Sequence, residues 1–557
     1  MKSVLTRSFV CYPIFPFFVA TILGTSVVRI FPELRTHVDV FVSCAIAIFV
    51  IDFASSCFSY FGFPAKTVRI TRRIFRAIAF GFICSALAFV RIDVPTQAIF
   101  PPTEVVLDGE ILEVSQNSNG TLYGILRVVN STKKSLDNAK VWFTFAEPKK
   151  EILHNILSLR IGDVVRVKTP VRSVVEKPPL AWGYVKDSNS EKSFNKYLHS
   201  RFVFFKCFAY YDSVEILSQR TKLFWGEKIA NYIRKTLSCE DGVLDKSASG
   251  ALRAMVLGDK AELTEQQKQN FKSTGTMHIF AVSGLHVGVV ALGLYFFCSM
   301  LGVPFVWRAI VVLPILFLYV LACGLPPSAV RAFLMVAVFW IAFAFSRGSA
   351  PMNALMLSAI VAILISPKVM FSAGFQLSYA VVGALFAWSI PVAKLFEINF
   401  NKAFYSVRFF NFYKRLFRFL VFGLCMSIGA SCVACPISAY WFGAFSVSGI
   451  FVSPIFVLLA SCSVILAMIS LLPTGLGFLF VSVAIFCVDI MQTLAKIIVE
   501  IMPMYISMKI NNGLLCCLIV ILVFSAFIFT QKLNVLLRFC SVVVMVFLVM
   551  FLIWISQ

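Results

Sequence analysis

The sequence predicts a polytopic α-helical membrane protein of about 12–13 spans, with a small external β-barrel of the oligonucleotide-binding (OB) kind inserted after the first helices. Three observations carry this expectation. Of 557 residues, 59% are hydrophobic and only 14% are charged, with a mean hydropathy of +0.87. Apolar runs approaching the ~20 residues needed to cross a bilayer recur along most of the chain. The exception is one stretch, from about Arg91 to Thr274, in which polar turns separate short alternating segments.

Residues 1–92 hold three spans, near Pro13–Phe31, Val38–Phe61 and Phe75–Val90. The first lacks a small-residue cleavage site and reads as a retained helix, not a signal peptide. Lys66, Arg69, Arg72, Arg73 and Arg76 lie between the second and third spans and place that loop in the cytoplasm. The amino terminus, with Lys2 and Arg7, is then cytoplasmic as well, and the third span exits to the outside.

Residues 93–221 form the external β domain. Lys140–Phe145 puts Val141, Phe143 and Phe145 on one face and Trp142 on the other, and Val164–Lys168 alternates in the same way. Gln116–Gly120 and Asn130–Lys134 supply turns. Several such strands in ~70 residues suit an OB-like barrel or another small antiparallel fold. Arg127, Lys140, Arg166, Lys168 and Arg172 are strand-borne or close to strands, and Tyr123 and Trp142 offer rings on which bases could stack. The alternative is a solvated basic face above core aromatics. Cys207 here and Cys239 in the following connector both lie in the soluble stretch and could pair in an oxidising compartment.

Residues 222–275 read as an amphipathic helical connector. Ser247–Leu257 is one helix, stopped at Gly258; Thr264-Glu-Gln-Gln267 is a capping box, and Gly275 stops the helix it opens. Residues 276–500 form the transmembrane core and 501–557 further carboxyl-terminal spans, ending in apolar Val535–Ile555. Lys402, Arg408, Lys414, Arg415 and Arg418 fall in a loop that the span count places in the cytoplasm. Beyond Pro436 the count is less secure, because Pro436–Val447 reads as re-entrant.

Polar groups enter this apolar region at few places, and an ionisable group there is a functional candidate. Gly275–Val287 carries His278, Ser283, Gly284 and His286, small and polar residues that imply a break before a span. Arg331 follows Gly324-Leu-Pro-Pro and sits inside the next apolar run; it either snorkels to the interface or contacts phosphate. Gln376 and Ser378 open a further span, as interhelical donors or as pore lining. No Asp or Glu occurs from Gln266 through Phe396, and only Glu397, Asp489 and Glu500 follow, with Asp489 the one candidate relay, which argues against a proton-coupled secondary transporter.

His278 and His286 are eight residues apart and lack the i, i+4 spacing and acidic neighbour of a helical zinc pair. Ser283 with His286 lacks an orienting carboxylate. Cys432 and Cys435 form C-x-x-C inside an apolar run with no second pair. No catalytic residue, metal or cofactor is assigned, and the chain is not expected to be an enzyme. The net charge of +23 exceeds what cytoplasmic loops require and points to an anionic partner.

Gly275-Thr-Met-His278-Ile-Phe-Ala-Val-Ser283-Gly284-Leu-His286-Val resembles the signature of the ComEC family of bacterial competence DNA-uptake channels. Ala254–Lys260, Pro327–Met335 and Gly374–Tyr379 are similar to the motifs that flank it in that family, in order, and Pro179–Phe202 resembles the tail of its OB-like external domain. The resemblance covers about Thr103 to Leu459. It implies a multi-pass inner-membrane channel that conducts single-stranded DNA into the cytoplasm during natural transformation. It implies a pore lined by His278, Ser283, Gly284, His286, Arg331, Gln376 and Ser378, with Tyr123, Arg127, Lys140, Trp142, Arg166 and Lys168 binding DNA outside. The implied partners are membrane lipids, an external DNA receptor, a strand-degrading nuclease and a cytoplasmic helicase or translocase.

This chain has two departures. It lacks the H-x-H-x-D-H motif of the β-lactamase-like domain that ends longer family members, so it reads as a short form; and Ser453 stands beside Pro454 where Asn is expected. No P-loop supplies an energy source. The rival readings are a transporter of another anionic substrate, a nucleotide or polyanion, and a membrane-embedded hydrolase.

Overall fold

The computed structural model describes chiefly residues 14–30, 76–88, 102–116, 121–146, 161–174, 203–218, 225–238, 246–259, 262–344, 351–394, 411–471 and 477–501, with short pieces elsewhere. In chain order these form helices α1 (Phe15–Ile30) and α2 (Arg76–Ala88), then strands β1 (Thr103–Gln116), β2 (Leu122–Ser131), β3 (Lys140–Ala146), β4 (Val164–Ser173), β5 (Phe205–Tyr210) and β6 (Val214–Ser218). Three connector helices follow, α3 (Trp225–Leu237), α4 (Lys246–Leu257) and α5 (Glu265–Ser273). Then come the apolar helices α6 (Gly284–Met300), α7 (Phe305–Ala322), α8 (Pro327–Ala344), α9 (Pro351–Ile365), α10 (Ala373–Lys394) and α11 (Asn411–Phe442). A short strand β7 (Ala444–Ser446), helices α12 (Gly449–Ser470) and α13 (Gly477–Ile501), and strand β8 (Tyr505–Ser507) complete the described chain. Contacts divide the protein into two compact units, Met1–Gln97 with Phe333–Tyr379 and Ala98–Ala332 with Ala380–Gln557.

The β domain is a closed five-stranded barrel in the order β1-β2-β3-β5-β4, shut by a β1–β4 pairing, with β6 added outside β4. Only β3 and β5 run parallel. That is an OB-like topology, one of the small antiparallel folds that the alternation leaves open. Closure depends on β1. Register shifts at Asp108/Gly109 and Ile111/Glu113 bend it, so that Thr103–Glu110 pairs with β4 while Leu107–Gln116 pairs with β2. Leu107, Ile111, Leu126, Val141, Phe143, Phe145, Val165, Val167 and Val171 fill the interior, and all are fully buried. The strict buried/exposed alternation of β4 and β3 is the period-2 pattern seen in the sequence.

In the first unit α1 and α2 cross at glycines. A side chain at Gly24 would collide with the Gly81 carbonyl, and Ser85 Oγ donates to Gly24 O at 2.8 Å. Small residues that let backbones touch are what hold helices together where lipid offers no hydrophobic drive.

Four described helices are long and apolar enough to cross a membrane: Ala373–Lys394, Arg418–Phe442, Gly449–Ser470 and Gly477–Ile501. Shorter apolar helices include Gly284–Met300, Trp307–Ala322 and Pro351–Ile365. The expected span at Val535–Ile555 lies outside the described residues, as does most of that at Val38–Phe61. The protein is a polytopic membrane protein carrying a small β-barrel.

One boundary differs from expectation. Pro436, expected to open a re-entrant segment, instead lies inside a helix that runs on to Phe442. Proline removes one helical donor, a loss that packed neighbours can tolerate at depth. The chain then turns at Gly443 (φ +68°) into β7, which pairs antiparallel with β8.

Candidate functional site

The stretch from Ser273 to His286 is a break between two helices. Helix α5 opens with the full capping box expected at Thr264 and Gln267 and closes with Thr274 as its C-cap, followed by Gly275 at φ +72°. That left-handed conformation favours glycine. One turn of 3-10 helix, Met277–Phe280, and an extended residue, Ala281, precede α6. Ser283 caps α6: its Oγ accepts from the His286 backbone N–H at 3.4 Å, while the His286 ring takes the Ser283 N–H on Nδ1 at 3.5 Å. Ser283 and His286 are thus reciprocal caps, and the ring is 1% exposed. His278 is exposed, with Nδ1 3.0 Å from Gly275 O.

Several elements of the second unit converge on this break. Ser328 Oγ, in the first turn of α8, donates to Val282 O at 2.5 Å. One turn later Arg331, 5% exposed, brings its guanidinium onto Gly284; a Cβ added there would stand 2.6 Å from Nη2. At the other end, Ser446 Oγ donates to Ser273 O at 2.6 Å, beside Ser448 Oγ at 2.8 Å. Thr274 and Thr276 share a hydrogen bond of 2.7 Å, and both are buried. Gly275 lies against Ser446 and Gly449, so α5 meets the start of α12 across backbone. Phe271, Phe280 and Phe456 pack edge to face beneath, at 4.6 and 6.3 Å.

The connector braces the break from behind. Gly258 ends α4 at φ +81° and rests on Val282, and Val256 O accepts from Tyr319 Oη of α7 at 2.9 Å. Arg253 and Arg234 both pair with Glu262, at 2.6 and 3.8 Å. Three of the motifs singled out in the sequence, at 254–260, 275–287 and 327–335, therefore meet at one place. Gln376 and Ser378 sit on the first turns of α10, where Gln376 Nε2 donates to Met370 O at 3.3 Å; Ser378 is half-buried. Ser328, Ser446, Ser448 and Gly449 escaped the sequence reading. The available signal was Ser448-Gly449 just before an apolar run, a helix-start pattern.

On the barrel wall Arg127 and Arg166 are exposed and Lys140 is half-buried. Arg166 forks onto Asp108 at 2.7 and 3.0 Å, and that carboxylate pushes its guanidinium further up. Arg127 pairs with Glu110 at 2.9 Å and lies opposite Lys140; Lys168 and Arg172 are exposed on β4. Tyr123 and Trp142 stack on each other at 5.8 Å, and Phe194 meets Trp142 edge-on at 5.2 Å. Ile125, Val174, Leu198 and Val203 bury this part of the outer wall, and Arg201 grips Glu113 beside it. Cys207 is a free thiol inside the barrel, pushed up to about 12 by burial; Cys239 lies outside the described residues. Among the described residues no group of three or more His, Cys, Asp or Glu could hold a metal.

A multi-span helical protein, a small five-stranded barrel and a braced helix break carrying a buried arginine define the class: a polytopic membrane protein with an inserted β-barrel. The Competence protein family matches residues 255–533, half of the chain, and covers the break, Arg331 and the helices after it. The chain belongs to this competence family, the ComEC family. ComE operon protein 3 of Bacillus subtilis (strain 168) is 32% identical over 154 residues, 28% of this chain and 20% of that protein. The matched region thus spans about a fifth of the relative's length. No solved structure matches the chain.

Proposed function

We propose that this protein is a cytoplasmic-membrane channel that conducts single-stranded DNA into the cell during DNA uptake. The observation that carries the reading is the Arg331 guanidinium, buried against the first turn of α6 in a stretch of 131 residues, Gln266 to Phe396, without a carboxylate. A guanidinium beside the backbone N–H groups of a helix start suits a phosphate oxygen passing through. Ser283 and His286 hold the break open at that point, Gly284 leaves it room, and His278 adds a polar group beside it; Gln376 and Ser378 keep the pore-lining role the family resemblance implies. The barrel stands outside the membrane and receives the strand through Arg127, Lys140, Arg166 and Lys168. A separate receptor and nuclease present the strand, and a cytoplasmic motor pulls it. The proposed domains are 1–92, 93–221, 222–275, 276–500 and 501–557.

The test follows labelled double-stranded DNA in cells with and without the protein, scoring periplasm and cytoplasm separately. Loss of cytoplasmic label with outer uptake intact supports the channel. Unchanged cytoplasmic label overturns it and favours a transporter of another anion.

A further inference from the structure

We infer that single-stranded DNA stacks on the barrel at Phe208 and Tyr210 of β5, and not at Tyr123 and Trp142. The inference rests on the DNA-conducting reading above and fixes where the external domain holds its substrate. Phe208 is 48% and Tyr210 53% exposed, although each is large and apolar enough to be drawn inside. They alternate with buried Cys207 and Ala209, so both rings point out of the barrel. Their centroids are 5.4 Å apart and their planes cross at 85°, which leaves a face of one ring and an edge of the other open.

The neighbours keep the pair open. On the parallel strand β3 the residues opposite are Thr144 and Ala146, too small to cover a ring. On β4, Thr169 Oγ1 holds the Phe208 carbonyl at 2.6 Å and so fixes the strand beneath. The outer wall at Tyr123 and Trp142 is, by contrast, taken: the two rings stack on each other, and Phe194 and Leu198 close over Trp142 and Ile125. That wall includes the β2–β3 face on which such barrels usually hold oligonucleotides.

The charge around the open pair has the right sign. Lys168 and Arg172 project from β4 on the same outward face, both exposed; Lys206 lies directly across from Arg172 but sets its Nζ over the Phe194 ring at 5.4 Å. Arg166, the next basic residue on β4, is bound to Asp108. Three exposed carboxylates stand against these: Glu104 of β1, across from Pro170 between Lys168 and Arg172; Glu215 of β6, opposite Arg166; and Asp212 in the turn after Tyr210. Exposed rings between cations recognise a polyanion that carries flat bases, which is the chemistry of a single strand. The other occupant of an aromatic and basic face is a membrane surface.

The full-length protein in zwitterionic nanodiscs, titrated with a fluorescein-labelled oligonucleotide, separates these. Phe208→Ala with Tyr210→Ala should weaken binding about tenfold or more, the loss expected when one or two stacked bases lose their ring. Phe208→Tyr with Tyr210→Phe should bind as the parent does. Tyr123→Ala should stay within about twofold, since its ring already stacks on Trp142. Lys168→Ala with Arg172→Ala should flatten the slope of log K against log salt by about 1.4, at ~0.7 per phosphate contact. Unchanged binding in the Phe208/Tyr210 double variant overturns the inference while leaving the channel reading in place. A parent protein that binds no oligonucleotide overturns both. A Phe208→Trp protein whose added fluorescence is quenched by brominated lipid, and not by oligonucleotide, makes the pair a membrane contact and overturns the inference.

Discussion

The guanidinium of Arg331 occupies the space that any side chain at Gly284 would fill, with Nη2 2.6 Å from where a Cβ would stand. The two residues are 47 positions apart on different helices, and each explains the other. Glycine at the first position of α6 is a poor helix former, kept here because a flexible cation needs the room. The cation sits at a helix start, where the backbone dipole is positive, an arrangement that becomes favourable when an anion lies between them.

Gly284→Ala should therefore fold and lose function. The atom that must move is the end of a flexible side chain, so the monodisperse fraction after extraction should match the parent. Cytoplasmic DNA import should fall about tenfold, as expected when one charge-assisted contact worth ~1.5–3 kcal/mol is displaced. Arg331→Ala should do the same, and the double variant should be no worse than either alone, because the residues act as one unit. Additive losses would show that they act separately.

The opposite pattern is expected at Gly275. Its φ of +72° strains any other residue, and an added Cβ would stand 3.0 Å from Ser446 Cβ, with little freedom to yield. Gly275→Ala should lower the thermal midpoint, at a cost of ~1–3 kcal/mol. Ser446→Ala leaves the Ser273 carbonyl with Ser448 Oγ at 3.4 Å as its remaining hydroxyl donor, and should cost ~1–3 kcal/mol in the same assay. A Ser446→Ala protein with unchanged melting would mean that this hydroxyl cluster does not hold α5 to α12.

His286 is a cap before it is anything else. Glutamine is a preferred partner of serine in a capping box, so His286→Gln should keep both import and thermal midpoint near the parent. His286→Leu should lose the reciprocal bond, and Ser283→Ala should lose ~0.5–2 kcal/mol as an N-cap deletion does. A hydrolase using Ser283 and His286 predicts instead that His286→Gln abolishes activity, and the import assay tells the two apart.

How much of this was legible in the sequence depended on whether the signal was local. The period-2 alternation of Lys140–Phe145 and Val164–Lys168 gave the barrel, and Gly258, Thr264 and Gly275 marked the connector's ends to within a residue. Apolar helices carry no such markers. When every face is apolar there is no period to read, so Pro436 looked like an end and is an interior residue. Contacts between distant segments were invisible. Ser446 reaches Ser273 across 173 residues, and β7 pairs with β8 across about 60, with nothing in either strand to name the other. The aromatic face shows the same limit: Tyr123 and Trp142 project outward, and the packing of Phe194 and Leu198 beside Trp142 comes from a later segment that nothing in β2 or β3 announces.

Cys207 allows a measurement on the barrel alone. Burial raises its thiol from 9.0 to about 12, and its side chain is 3% exposed in the core. It should resist maleimide at neutral pH in the native protein and react only when the barrel opens. The pH dependence follows from the direction of the shift. A folded-state value above the unfolded one means that the unfolded chain releases its proton first, so this contribution to stability is intact below pH 9 and is lost as pH rises from 9.0 toward about 12. Cys207→Ala removes the titrating group. The variant should melt below the parent at pH 8, where the small cavity dominates, and the gap should narrow as the pH is raised to 11. A gap that stays constant would show that the thiol does not titrate in the folded barrel's favour. A non-reducing mass two daltons below that of the reduced protein, abolished by Cys239→Ser, would show that Cys207 is bridged to Cys239 and is not a free thiol at all.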